Sequence, residues 1–276
     1  MSDTFERSLA HWSEAGREGM NAFYSLATTD YRVLAEAHNW ATWLRQAQIK
    51  AGRALRLLDV ACGSGKFPAA LLRHGTLGQA DLQPIAYALL DPSAFSIAEA
   101  RGVLQPPFHV AQTYNSTIQD LDAAAGAFDI VWATHALYAV PPAEIHSAIE
   151  RFVDVCAGQG FIAHAASSSH YIVFDRLYRA AFTSGERTPY TTAEEVIESL
   201  KSLGVRFVVR DVEYESVAPR DAESAVEGFL QRCVFDDTRT LDEMMRHGDV
   251  GAYLARCRFD DSWRFPQTVK LIFIDV

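Results

Sequence analysis

The stretch Leu57-Leu-Asp-Val-Ala-Cys-Gly-Ser-Gly-Lys66 constrains the fold of this chain more than any other. The apolar run Ala54–Val60 has the length of a buried strand, and the helical pattern Phe67–Arg73 follows it at once. Gly63 and Gly65 make the turn between them, because a backbone that turns tightly or approaches a ligand closely needs residues free to adopt positive φ. Further apolar runs come at Ile85–Leu90, Pro107–Ala111, Phe128–Ala133 and Gly160–Ala166, with helical stretches between them. Continuous apolar strands alternating with helices predict a parallel sheet covered on both faces.

The ends of the chain add to this frame. Thr192-Ala-Glu-Glu195 is a capping-box pattern that opens a helix ending at Leu203, with Gly204 as its stop. Val205–Tyr214 and Thr268–Val276 read as two closing strands around a mostly helical segment. The expectation is an α/β fold with a seven-stranded, mostly parallel sheet and an antiparallel edge strand. Added helices would form a lid over the substrate. Residues 1–50 read as a helical cap, with Phe23, Leu26, Leu34, Trp40, Trp43 and Leu44 at helical spacings, a cap at Thr29-Asp30 and a stop at Ala51-Gly52. Residues 51–276 would form the sheet domain, with helical insertions at about 170–190, rich in aromatics from Tyr171 to Phe182, and at about 217–266.

Composition narrows the partners. The 276-residue chain carries a formal net charge of −10 with histidine neutral, and it has no run of Lys or Arg. A duplex carries one negative charge per roughly 1.7 Å, so nucleic acid is not an expected partner. The apolar runs are strand-sized, short of the roughly 20 residues a spanning helix needs, so no membrane insertion is expected. The start Met1-Ser-Asp-Thr-Phe-Glu-Arg7 lacks the basic start and apolar centre of a signal peptide. Cys62, Cys156, Cys233 and Cys257 have no paired spacing and read as reduced thiols, not as a disulfide frame or a zinc site. A cytoplasmic monomer or weak dimer is expected, with no metal: His164 and His170 have no ligand spacing on a helix.

Two acids close the first two strands. Asp59 precedes the glycine turn, and Asp91 ends the run Ala86-Tyr-Ala-Leu-Leu90. Ligands of open parallel sheets bind outside the carboxyl ends of the strands, where the strand order reverses. A carboxylate at the tip of strand two can accept two hydrogen bonds from ribose hydroxyls. Asp91 lies 26 residues after Gly65, the excess being a loop around Gly75–Pro84. Asp81 competes for the role but precedes its apolar run. Asp91-Pro-Ser also offers cap chemistry for a helix starting at Pro92. A dinucleotide site wants G-x-G-x-x-G, whereas the order here is Ala61-x-Gly63-x-Gly65 without a third glycine. Asp59 would repel a pyrophosphate and suits a cationic ligand.

This pair of motifs resembles the class I S-adenosylmethionine-dependent methyltransferases over roughly residues 50–170. The resemblance implies a Rossmann-like fold, S-adenosylmethionine as cofactor and S-adenosylhomocysteine as product. Asp59, Ala61, Cys62, Gly63 and Gly65 would form the loop that passes the cofactor, and Asp91 would hold its ribose. A narrower resemblance, to the histamine N-methyltransferase family, runs nearly the full length. It is carried by Phe128-Asp-Ile-Val-Trp-Ala-Thr-His-Ala-Leu-Tyr-Ala-Val140, Tyr190-Thr-Thr-Ala-Glu-Glu195, Leu200-Lys-Ser-Leu-Gly-Val205, Phe229-Leu-Gln-Arg-Cys233 and Thr268–Val276. It implies further cofactor contacts at Ser96, Asn115 and Thr134, with Ser116 beside Asn115 toward the adenine. That family's amine-holding glutamate falls on Asp30, its last-strand asparagine on Gln267, and its glutamine after strand four on His135. None is identical, so the resemblance speaks for reaction type ahead of substrate.

Methyl transfer from a sulfonium is an in-line displacement with an activated donor, so the protein chiefly supplies position, for which about 7–11 kcal/mol is available. An amine acceptor must be unprotonated when it attacks, and Asp30 and His135 are the candidates to take its proton. Tyr24, Trp40, Tyr138, Tyr171, Phe174 and Tyr178 could wall the acceptor, where aromatic faces attract a cation by about 0.5–2 kcal/mol, or could simply pack the core. Tyr138 directly follows the strand-four motif and is the preferred wall residue. The motif leaves O- and C-methylation, and a catalytically silent cofactor-binding protein, as alternatives.

Overall fold

Apolar side chains on both faces of a strand survive only where both faces are covered, and the sheet meets that condition in its centre. The computed structural model describes residues 3–183 and 187–276, apart from the side chain of residue 79. Its strands are β1 (Arg56–Val60), β2 (Ile85–Leu90), β3 (Phe108–Tyr114), β4 (Phe128–Thr134), β5 (Cys156–Ala165), β6 (Arg206–Pro219) and β7 (Ser262–Asp275). They form one seven-stranded sheet in the order β3-β2-β1-β4-β5-β7-β6. β1 to β5 pair in parallel, and β7 is antiparallel to both β5 and β6, with β6 outermost. This is the α/β architecture expected from the alternating runs, and the Rossmann-like one that the resemblance implies.

The helices are α1 (Asp3–His11), α2 (Arg17–Glu36), α3 (Trp40–Ala51), α4 (Lys66–His74), α5 (Ala94–Val103), α6 (Ile145–Asp154), α7 (His170–Phe182), α8 (Ala193–Ser202), α9 (Glu223–Cys233), α10 (Leu241–Arg246) and α11 (Gly248–Cys257). One sheet face packs Leu57, Tyr87, Leu89, Trp132 and Phe161 against α3, α4 and the end of α2. The other packs Leu58, Val60, Ala88, Val131 and Ile162 against α6 and α8. A third core joins α2, α7, α9, α10 and α11 to Trp263 and Phe265 at the start of β7. Among the described residues no helix is long and apolar enough to cross a membrane. The four cysteines are buried free thiols.

Several local readings change. Thr29-Asp30 is not a cap: α2 runs on through it, because Tyr24, Ala27, Leu34 and Ala35 extend one buried stripe past the polar pair. The cap ahead of α5 is Ser93, whose hydroxyl accepts from the Ser96 amide, so the helix starts at Ala94 and not at Pro92. β6 and β7 pair over fourteen positions each, so the expected insertion of 217–266 contracts to the crossover between them, where α9–α11 lie. Of the 170–190 insertion, α7 is helical, and residues 184–186 lie outside the described residues. The capping box stands as read: Thr192 and Glu195 bond each other's backbone, and Gly204 follows at φ +68°. Of residues 1–50, α3 lies on the sheet face, with Trp40 buried against Phe67 and Phe161. Trp40 is therefore a core residue and not a wall of the acceptor space.

Candidate functional site

β1 lies between β2 and β4, so the strand order reverses there and a crevice opens beyond their carboxyl ends. The turn after β1 bends sharply. Ala61, Gly63 and Gly65 all hold positive φ, at 49°, 51° and 70°. At Gly65 an added Cβ would stand 2.6 Å from Val103 Cγ2 and 3.1 Å from Ala100 Cα, so this glycine lets α4 approach α5. Gly65→Ala combines a left-handed penalty with overpacking, and chemical denaturation should read a loss of about 2–4 kcal/mol.

A cleft of about 320 Å³ occupies the crevice. Asp59 lines it from β1, Ala61, Cys62 and Gly63 from the turn, Asp91 from just past β2, Ser116 from the loop after β3, and Thr134 and His135 from the end of β4. The Gly63 amide donates to Asp91 Oδ2 at 3.0 Å and the Ser93 amide to Oδ1 at 2.8 Å. These bonds fix the carboxylate and leave each oxygen a further lone pair. Burial pushes the Asp91 carboxyl up to about 6, and the two amides pull it back. Asp59 accepts from the Tyr87 hydroxyl at 2.6 Å, and burial pushes it up to about 7. Burial also raises the Cys62 thiol, which keeps it protonated.

A second cavity of about 90 Å³ adjoins the first. Asp30, Tyr138 and Tyr171 line it, as do Phe23, Tyr190 and Phe235, while Tyr31, His135, Trp12 and Ser8 line both cavities. α2 sorts the two spaces by register. Phe23 and Asp30 are seven residues apart and face the smaller cavity, whereas Tyr24, one position on, faces the cleft and Tyr31 lines both. The Lys66 ammonium stands over the Tyr24 ring, 4.5 Å from its centroid.

Asp30 is 2% exposed. Its Oδ2 accepts from the Tyr171 hydroxyl at 2.6 Å, and the Tyr214 and Ser216 hydroxyls also lie against the carboxyl. Burial pushes this carboxyl up to about 7, and the hydroxyls pull it back. His135 adopts φ +53°, uncommon for a side chain of its size, and its amide donates to the Ala163 carbonyl at 2.9 Å. Its Nδ1 pairs with the Tyr138 hydroxyl at 2.8 Å while Nε2 is buried without a partner. Burial, and then the neighbouring His164, lower this imidazole to about 3, so it is neutral. The smaller cavity thus has two polar residues, Asp30 and His135, in its lining among aromatic rings.

Other anticipated residues stand outside both cavities. Gly65 supports the turn from beneath. Ser96 is buried in the first turn of α5. Asn115 props the end of β2, its Nδ2 donating to the Asp91 and Pro92 carbonyls at 3.1 and 2.8 Å. Gln267 on β7 accepts from Ser169 at 2.6 Å. Phe174 and Tyr178 belong to the helical core. Sequence reasoning missed Tyr31 and Trp12; the repeated seven-residue step from Phe23-Tyr24 to Asp30-Tyr31 was the available signal for the first.

Comparison with known proteins bears on the fold. Residues 57–160 match the family described as a methyltransferase domain. The magnesium protoporphyrin IX methyltransferase of Synechocystis PCC 6803 with bound S-adenosylhomocysteine is similar at 12% identity, covering 98% of this chain and 99% of that chain with a TM-score of 0.54. The same enzyme with S-adenosylmethionine bound gives 12% identity, 99% and 98% coverage and a TM-score of 0.52. A provisionally assigned methyltransferase from Bacillus halodurans C-125 gives 13% identity, 85% and 98% coverage and a TM-score of 0.54. At these identities the likeness is one of fold. No curated protein matches the chain by sequence.

Proposed function

We infer that this chain, whose residues 57–160 match a methyltransferase domain, is an S-adenosylmethionine-dependent methyltransferase acting on a small molecule, with nitrogen as the receiving atom. The observation that carries the reading is the pair of adjoining cavities with Tyr31 and His135 in their common wall. The larger fits the cofactor: Asp91 keeps lone pairs for two ribose hydroxyls, the positive-φ turn lets the ligand approach backbone, and the carboxylates of Asp59 and Asp91 suit a cation. When bound, S-adenosylmethionine supplies an activated methyl group on a sulfonium. The smaller cavity would hold the acceptor beside the cofactor, next to Tyr31 and His135, the proximity that an in-line displacement needs.

Magnitudes separate the roles of the two polar residues. A base works best when its pKa lies near the working pH. Asp30, raised to about 7, meets that condition, and His135, lowered to about 3, does not. Asp30 therefore takes the acceptor's proton, and His135 orients the acceptor. The Tyr138 hydroxyl at Nδ1 fixes the ring for that task. Tyr138 and Tyr171 offer faces that favour a charged nitrogen.

The test is calorimetry followed by a transfer screen. Saturable binding of S-adenosylhomocysteine is expected, with transfer from S-adenosylmethionine to amines or ring nitrogens ahead of phenols and carbon acids. Absence of binding would overturn the cofactor reading. Transfer confined to phenols or carbon acids would overturn the acceptor atom, and binding with no transfer at all would make the chain a silent cofactor binder.

A further inference from the structure

We propose that Ser93 is a positioning residue that ties the ribose-holding acid to helix α1, and so sets how long the cofactor stays bound. The proposal rests on the cofactor reading above. Ser93 lies outside both cavities and is 8% exposed, yet three polar links converge on it. Its amide donates to Asp91 Oδ1 at 2.8 Å. Its hydroxyl oxygen accepts from the Ser96 amide at 3.2 Å, and its hydroxyl proton goes to the Trp12 carbonyl at 2.5 Å. A hydroxyl has one proton to give, and here it is given to the residue that follows α1. With the Gly63 amide on Asp91 Oδ2, a continuous chain of hydrogen bonds runs from the turn after β1, through Asp91 and Ser93, to Trp12.

α1 is the part of the cleft wall that polar clasps hold in place. Phe5, Ser8, Leu9 and Trp12 face the cleft, but Thr4 is the one residue of α1 that is buried. The clasps are few. The Thr4 hydroxyl donates to the Thr188 carbonyl at 2.6 Å, and Arg7 pairs with Asp236 at 3.6 Å. Arg232 donates to the His11 and Gly16 carbonyls and stands over the Trp12 ring at 5.1 Å. Of these clasps, Ser93 alone also holds the acid assigned to the ribose. A ligand that fixes Asp91 thereby fixes Ser93 and its grip on Trp12, and a broken grip loosens the outer wall of the cleft, which the Arg232, Phe23 and Tyr24 contacts still hold in part.

The test uses the full chain with two substitutions. Ser93→Gly removes the hydroxyl at a cap position where glycine costs the helix only a few tenths of a kcal/mol. Ser93→Thr keeps both the proton and the acceptor. Stopped-flow displacement should show S-adenosylhomocysteine leaving Ser93→Gly about three- to tenfold faster, the effect of one lost hydrogen bond, and leaving Ser93→Thr at the wild-type rate. Trypsin cleavage after Arg7 and Arg17 should accelerate by a similar factor in Ser93→Gly, with or without the ligand. An unchanged dissociation rate in Ser93→Gly overturns the proposal, as does a Ser93→Thr variant as fast as Ser93→Gly, which would assign the effect to packing. If the wild-type chain binds no S-adenosylhomocysteine, the cofactor reading fails first, and cleavage of the ligand-free chain still reports whether Ser93 holds α1.

Discussion

Replacing Asp91 by alanine is expected to weaken S-adenosylhomocysteine binding about a hundredfold or more. Hydrogen bonds to a charged group contribute about 1.5–3 kcal/mol each, and two ribose hydroxyls would lose theirs together. The change also strips the Gly63 and Ser93 amides of their shared acceptor, so the turn after β1 loosens as well. Asp91→Asn separates the two effects, since it keeps an acceptor while removing the charge. A pH series on the unaltered chain supplies an independent check. The Asp91 carboxyl stands at about 6, so affinity should decline as pH falls through that value and the carboxylate gains a proton. Calorimetry that finds Asp91→Ala within threefold of the unaltered chain would remove the ribose from this position.

Asp30→Asn should move stability and catalysis in opposite directions. Burial raises the Asp30 carboxyl from 3.8 to about 7 in the folded chain, so between those values the native state binds more protons than the unfolded one. Stability is then lost as pH rises through that window, by as much as about 4 kcal/mol for the full shift. An uncharged amide escapes the loss. Asp30→Asn should therefore gain about 2–4 kcal/mol at pH 8, and the gain should fade toward pH 4, as read by denaturant unfolding at the two pH values. The same variant should transfer methyl groups about 10²–10⁴ times more slowly while holding S-adenosylhomocysteine unchanged. A transfer rate equal to that of the unaltered chain would confine Asp30 to a structural part with Tyr171.

What the sequence discloses follows the range over which each signal acts. β1, β2 and β4 are legible because both of their faces are covered, which leaves unbroken runs such as Leu57-Leu58 and Ile130–Ala133. The box at Thr192 and Glu195 is legible because its partners stand three residues apart. β6 is harder to bound, since much of its length faces solvent and Glu213 and Glu215 interrupt the apolar pattern. Its true extent depends on β7, more than forty residues away. Thr29-Asp30 misleads for a similar reason: cap chemistry is local, and it yields to a buried stripe that only the folded neighbours create. The same holds at the site. The acids closing β1 and β2 announce themselves by position, whereas the walls given by α1 and α9 are brought in by tertiary contacts alone. Asn115 has a suitable side chain in a suitable place, and the fold spends it on bracing the Asp91 and Pro92 carbonyls.

The α9–α11 crossover between β6 and β7 brings late-chain residues to a site begun by the early strands. The seat for the donor is cut from β1, β2 and β4, whereas Arg232, Cys233 and Phe235 of the opposite chamber belong to a segment spliced between two late strands. Because Arg232 also grips the His11 and Gly16 carbonyls beside Trp12, a change in that segment would be felt in both chambers.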